Sequence, residues 1–68
     1  MFNKALFQYE VNKKGLTFNL IADRLGVNPA TLYRKMNGNS DFTRAEMQML
    51  RNILNLNADE SDKIFFAQ

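Results

Sequence analysis

Residues 17–38 read TFNLIADRLGVNPATLYRKMNG, a stretch that leaves the backbone few options. Thr17 is a favoured N-cap, and Ile21, Ala22 and Leu25 recur behind it at helical spacing. No Glu or Gln follows three residues later, so this start lacks a reciprocal capping box. Gly26 stands where the chain must turn, and a left-handed conformation is expected there because a residue with a Cβ adopts it at a cost. Asn28-Pro29 then opens a second helix: the asparagine caps, and proline at the first helical position loses no needed donor. Leu32 and Met36, spaced i, i+4, must point inward, and Ala22 is small where the second helix would cross the first. Thr31, Tyr33, Arg34 and Lys35 are left to face outward, while Leu20 points away from Ile21 and Leu25. The rest of the chain must supply a core.

Residues 3–14 predict a helix that stops at Gly15. Phe2, Ala5, Leu6 and Tyr9 form one apolar stripe, Phe7 and Val11 lie off it, and Glu10 stands between the sets. The pattern therefore leaves the inner face of this helix open. Lys13 and Lys14 suit the negative pole at its end at least as well as they would suit a phosphate. After a polar connection, Thr43-Arg44-Ala45-Glu46 is a capping box. Its helix carries Met47, Leu50, Ile53 and Leu54 on one face, with Phe42 placed to staple the start. Asn57-Ala58-Asp59-Glu60 repeats that logic for a last helix ending in Ile64, Phe65 and Phe66. One of the paired phenylalanines is expected on the core and the other in solvent or against a partner chain. All three glycines fall at helix ends. No strand pattern, repeat or linker interrupts the series, which predicts one compact all-α domain of five short helices over residues 1–68.

Composition narrows the chemistry. With 68 residues the core supplies only a few kcal/mol of net stability. The absence of cysteine removes disulfides and thiol chemistry, and the absence of histidine removes the usual general base and the commonest metal ligand. Asp59, Glu60 and Asp62 fall in a capping segment, where carboxylates belong for structural reasons. No phosphate-loop glycine pattern or zinc spacing occurs, so an enzyme is not expected, nor any cofactor or metal. No apolar run reaches membrane-spanning length and the start lacks a signal peptide's apolar centre, which predicts a soluble cytoplasmic protein. Net charge is +2. Lys4, Lys13, Lys14, Arg24, Arg34 and Lys35 outnumber Glu10 and Asp23 before residue 39, and acids outnumber bases after it. A polyanion would be drawn to the first part, although a solvated surface accounts for the same charges.

A helix of this kind fits the major groove of DNA, its N-terminal residues near base edges and the amides at helix starts near phosphates. The groups offered are Asn28, Pro29, Ala30, Thr31, Tyr33, Arg34 and Lys35. Arg34 can contact guanine through two bonds, worth about 1–3 kcal/mol of discrimination. Ala30 and the Thr31 methyl can touch a thymine methyl, and Tyr33 can reach a phosphate or lie against a sugar. The alternatives are structural: Tyr33 packed at a helix edge, and Arg34 solvated or bonded to Asp23 or Asp41.

These residues resemble the helix-turn-helix of the phage Cro and repressor family, the xenobiotic-response-element type of regulator. Leu16, Thr17, Ile21, Ala22, Leu25, Gly26, Val27, Asn28, Thr31, Leu32, Arg34, Asn37 and Gly38 match its pattern. FTRAEMQMLRNILNL resembles the family's next helix, and the terminal IFF is similar to small prophage Cro-like proteins. The resemblance implies a lambda-repressor-like fold and a cytoplasmic, nucleoid-associated regulator of transcription in a bacterial host. It implies double-stranded operator DNA as partner, bound as a homodimer for which Phe65 and Phe66 are the candidate surface. Two departures stand out. The family usually has Gln where Phe18 stands, bonding a phosphate and bracing the recognition helix. Without it the phosphate clamp falls to Thr17, the amide at that helix end, Asn37 or Asn39. Many members also have an apolar residue in place of Lys35, so Met36 is expected to take over its packing and free Lys35 for solvent or DNA. The alternative is a protein-interaction module, an antirepressor or antitoxin-like partner using the same fold, which Phe18, Leu20 and the IFF tail favour.

Overall fold

Five N-caps, all Asn or Thr, set where the helices begin. The computed structural model describes residues 1–68 and contains α1 (Lys4–Lys13), α2 (Phe18–Leu25), α3 (Pro29–Met36), α4 (Arg44–Ile53) and α5 (Ala58–Phe65), with no strand. Asn3, Thr17, Asn28, Thr43 and Asn57 each accept from an amide in the first turn of the helix they open. Both expected capping boxes are formed, Glu46 bonding back to the Thr43 amide and Glu60 to that of Asn57. Gly26 ends α2 at φ 75°, and the Val27 amide closes on the Ala22 carbonyl at 3.0 Å. The end of α4 uses the same closure without glycine: Asn55 takes φ 52° and the Leu56 amide donates to Arg51 at 2.9 Å. Asparagine is the residue that best tolerates this conformation after glycine.

The core is one cluster drawn from every helix: Phe7 and Val11; Ile21, Ala22 and Leu25; Leu32 and Met36; Leu50, Leu54 and Leu56; Ile64 and Phe65. Helix α2 packs on α3 and α4, and α1 packs on α5. The open question about α1 is resolved towards Phe7 and Val11, both essentially without solvent exposure. Of the longer stripe, Phe2 and Leu6 are half-buried while Ala5 and Tyr9 are exposed. Aromatic packing selects this face. Phe7 stacks on Phe18 at 6.2 Å and is tilted against Phe2 and Phe42 at 5.3 and 6.4 Å. Turning the stripe inward would remove Phe7 from this cluster. Glu10 is carried inside by the same rotation, with Lys14 Nζ at 3.6 Å and Lys13 Nζ at 4.0 Å. Lys14 also donates to the Leu54 carbonyl, which ties α1 to the end of α4.

The two ends of the chain pair through backbone. Asn3 donates to the Ile64 carbonyl at 2.7 Å, Ala67 to Met1 at 2.9 Å, and the Met1 ammonium to Ala67 at 3.0 Å. Beside this pairing Phe65 is buried and Phe66 stands outside, the division expected of the pair, and its place in the core takes Phe65 out of the candidate dimer surface. The fold thus presents α2 and α3 at the surface, backed by α4 and by the rings of α1.

Phe7→Ala is expected to cost about 3–5 kcal/mol, enough to unfold a domain of this size near room temperature, while Tyr9→Ala stays within about 0.5 kcal/mol. Circular-dichroism melts of the two variants check which face of α1 is inside. Gly26→Ala meets no steric obstacle. Its cost is therefore conformational, about 1–2 kcal/mol in urea titration.

Candidate nucleic-acid interface

Helix α3 is held from behind by Leu32 and Met36, both buried. Its start is nearly self-sufficient: the Asn28 side chain accepts from the Ala30 amide at 2.8 Å, and the Leu32 amide bonds the Asn28 carbonyl at 3.1 Å. Pro29 has no amide to satisfy, so the N–H groups left unpaired at this helix start are those of Asn28 and Thr31. Asn28, Ala30, Tyr33, Arg34 and Asn37 are exposed, and Pro29 and Thr31 are half-buried beside them. No residue of α3 is acidic. Arg34 donates to Thr31 Oγ1 at 3.4 Å and pairs with no carboxylate, neither Asp23 nor Asp41. Apart from that bond its guanidinium is unpaired on the exposed face.

Tyr33 packs at the helix edge, as its structural alternative expects. Its ring sets an edge against Phe18 at 5.9 Å and 68°, yet 45% of the residue remains exposed. Phe18 therefore braces α3 through ring contact, in place of the polar contact that its side chain lacks. At the start of α2, Thr17 Oγ1 is taken by the Leu20 amide at 3.2 Å. The amides of Phe18 and Asn19 are left with no helical acceptor, the donors that an anion at this helix start would meet. Asn37 Oδ1 accepts from Lys4 Nζ at 2.6 Å, and Asn39 is exposed with its side chain unbonded. Lys4 was not among the site residues that the sequence singled out. Nothing in the 17–38 pattern signals it, because the pairing spans 33 positions.

Lys35 departs from expectation. It is buried, its ammonium donating to the Asp41 carbonyl and to Glu46 Oε1, each at 2.9 Å, and lying 5.9 Å from the centre of the Phe42 ring. Met36 does pack in the core, but Lys35 is not released by it. Desolvation opposes the burial of an amine unless acceptors replace its water, and here the Asp41 carbonyl of the α3–α4 connection and the Glu46 carboxylate of α4 do so. Lys35 thus joins α3 to α4 and leaves the set of outward groups. Burial pushes the Glu46 carboxyl up, but the Thr43 amide and the Lys35 ammonium outweigh it and hold the group below the usual carboxylate range.

The cations without a carboxylate partner are Lys4, Arg24, Arg34, Arg44 and Arg51, and Arg51 donates to the Leu56 carbonyl at 3.3 Å. A cleft of about 580 Å³ lies elsewhere, between the chain ends and the α3–α4 connection. Its lining is led by Phe2, Phe42, Met47, Phe65 and Phe66, and its titratable side chains are Asp41 and the engaged Lys35. No three His, Cys, Asp or Glu side chains converge as a metal site, and no helix is long and apolar enough to cross a membrane.

Because the folded-state pKa of Glu46 is depressed, the stability it contributes is complete above the unfolded carboxylate value and is lost as pH falls through the folded one. Urea titrations from neutral pH into acid are expected to show Glu46→Gln less stable than the parent at neutral pH, the gap closing on acidification. Lys35→Met is expected to cost about 1–3 kcal/mol in the same assay.

No protein-family model, curated protein or solved structure matches the chain, so the reading of this surface rests on its own residues.

Proposed function

We propose that this chain is a sequence-specific double-stranded DNA-binding protein, a Cro-like transcription regulator that lays α3 in the major groove. The observation that carries this reading is the open face of α3: Asn28, Ala30, Thr31 and Arg34 lie side by side on a rigidly backed helix, without an acidic residue and with an unpaired guanidinium. Arg34 is the base-reading group, Ala30 and Thr31 supply apolar contact, and the Phe18 and Asn19 amides with Thr17, Asn37 and Asn39 face the backbone. Tyr33 flanks the sugar-phosphate edge. A regulator of this kind acts on the nucleoid of a bacterial host.

Homodimerisation on a two-fold operator belongs to the same proposal. The longest dimension of the domain is 27 Å, less than the separation of about 34 Å between successive grooves on one face of DNA, so two copies fit side by side. Phe66, 61% exposed next to the apolar cleft, is the side chain available for that contact. The same residue, with Met1 at 91% exposure, favours the second reading, a module that covers another protein.

Selection from a random duplex pool, followed by anisotropy titrations on the selected and a mixed duplex, tests the proposal. Affinity is expected to fall with salt on both. Absence of any binding at low salt would sink the DNA reading and leave the protein-covering one. Arg34→Ala is expected to lose roughly tenfold to a hundredfold on the selected duplex and far less on the mixed one. Equal losses would remove Arg34 from base reading. Lys35→Met is expected to leave the salt slope unchanged, because that charge is already engaged inside the fold.

A further inference from the structure

Lys4 is a cation to which the fold gives an orientation but no counterion. Lys13 and Lys14 are near Glu10, Lys35 is bound to Glu46, and Lys63 to Asp59. Lys4 lies within ion-pair distance of no carboxylate, yet its Nζ is fixed on Asn37 Oδ1 at 2.6 Å. That bond also orients the asparagine. With Oδ1 turned to the lysine, the Nδ2 protons point away from it and meet no protein acceptor. The ammonium keeps two of its three protons unused. Both residues are exposed. A full positive charge and N–H donors, with the Asn37 side-chain oxygen already engaged, form the complement of an oxyanion. The C-terminal pole of α3 beside Asn37 disfavours an anion, so the attraction must come from Lys4.

We propose that Lys4 and Asn37 form a clamp for one backbone phosphate of duplex DNA, joining α1 to the end of the recognition helix. The clamp rests on the DNA-binding reading of α3 and adds a residue of α1 to it. Eight residues of helix span about 12 Å, close to the width of the major groove. With Asn28 to Arg34 at the bases, Asn37 at the far end of α3 comes up at the groove edge, where the phosphates run. The clamp supplies at that end the polar anchor that Phe18 does not supply at the start of α2.

Binding of the parent, Lys4→Gln, Lys4→Arg and Asn37→Ala to the selected and mixed duplexes over a series of salt concentrations tests the clamp. Lys4→Gln is expected to lose about threefold to tenfold per bound protomer on both duplexes alike and to reduce the slope of log K against log salt by about 0.9 per bound protomer. Lys4→Arg restores the slope, and Asn37→Ala weakens binding to both duplexes without altering it. Thermal melts confirm that Lys4→Gln remains folded. Ethylation interference gives a second measurement: one phosphate whose modification weakens the parent is expected to lose that effect in Lys4→Gln. An unchanged slope and unchanged interference on DNA that the parent binds would overturn the clamp and leave the DNA reading standing. A parent that binds neither duplex at low salt would overturn both.

Discussion

The Phe7 ring meets Phe18 at 6.2 Å, Phe2 at 5.3 Å and Phe42 at 6.4 Å, and with these three neighbours it joins α1 to the start of α2, to the N-terminal segment and to the segment leading into α4. Phe65 closes the group from α5, at 5.8 Å from both Phe2 and Phe42. A domain of 68 residues has no second core to fall back on. Its short helices cannot stand alone, so their relative placement is set by these rings. The restraint continues to the surface: Phe18 is packed on Phe7 on one side and meets the edge of Tyr33 on the other. The orientation of α3 is therefore coupled to the aromatic core by direct ring contact.

Lys35 supplies the complementary restraint at the other end of α3. An apolar side chain there would fill the same volume but leave the Asp41 carbonyl without this donor. The lysine is workable because Glu46 is already aimed by its capping bond to Thr43, so one carboxylate both starts α4 and receives the ammonium. Joining a cap to an ion pair makes the α3–α4 connection a defined shape. The benefit is geometric more than energetic, since charges drawn out of water recover only part of their solvation in such pairs.

Features governed by neighbours in sequence were legible in advance. The five helices, the capping boxes at Thr43 and Asn57, the turn at Gly26 and the inward Leu32 and Met36 follow from contacts within a few residues. What escaped depends on distant partners. The face of α1 was ambiguous because two apolar sets compete on it, and Phe18 and Phe42 decide between them. Lys35 read as a surface charge because its receivers lie 6 and 11 residues away, beyond the end of its helix. Asn55 escaped because the terminus of α4 uses asparagine where the other left-handed stops use glycine. The pairing of the chain ends and the Lys4–Asn37 bond have no sequence signature at all. For the candidate site, local rules identified the residues of α3 and tertiary contacts determined which of them remain free.

This selection changes the electrostatic picture of the surface. Lys13, Lys14 and Lys35 account for half of the cations in the first 38 residues, and the fold brings each near an internal carboxylate. The attraction for a polyanion then falls to a few unpaired side chains, Lys4, Arg24, Arg34 and Arg44, rather than to a basic surface. With so few phosphates to neutralise per protomer, counterion release would give only weak sequence-independent binding. In the DNA-binding reading, occupancy of a site must then come from base contacts and from the second copy on the other half-site. In that reading the protein would discriminate well for its size, because little of its affinity would be available to the wrong sequence.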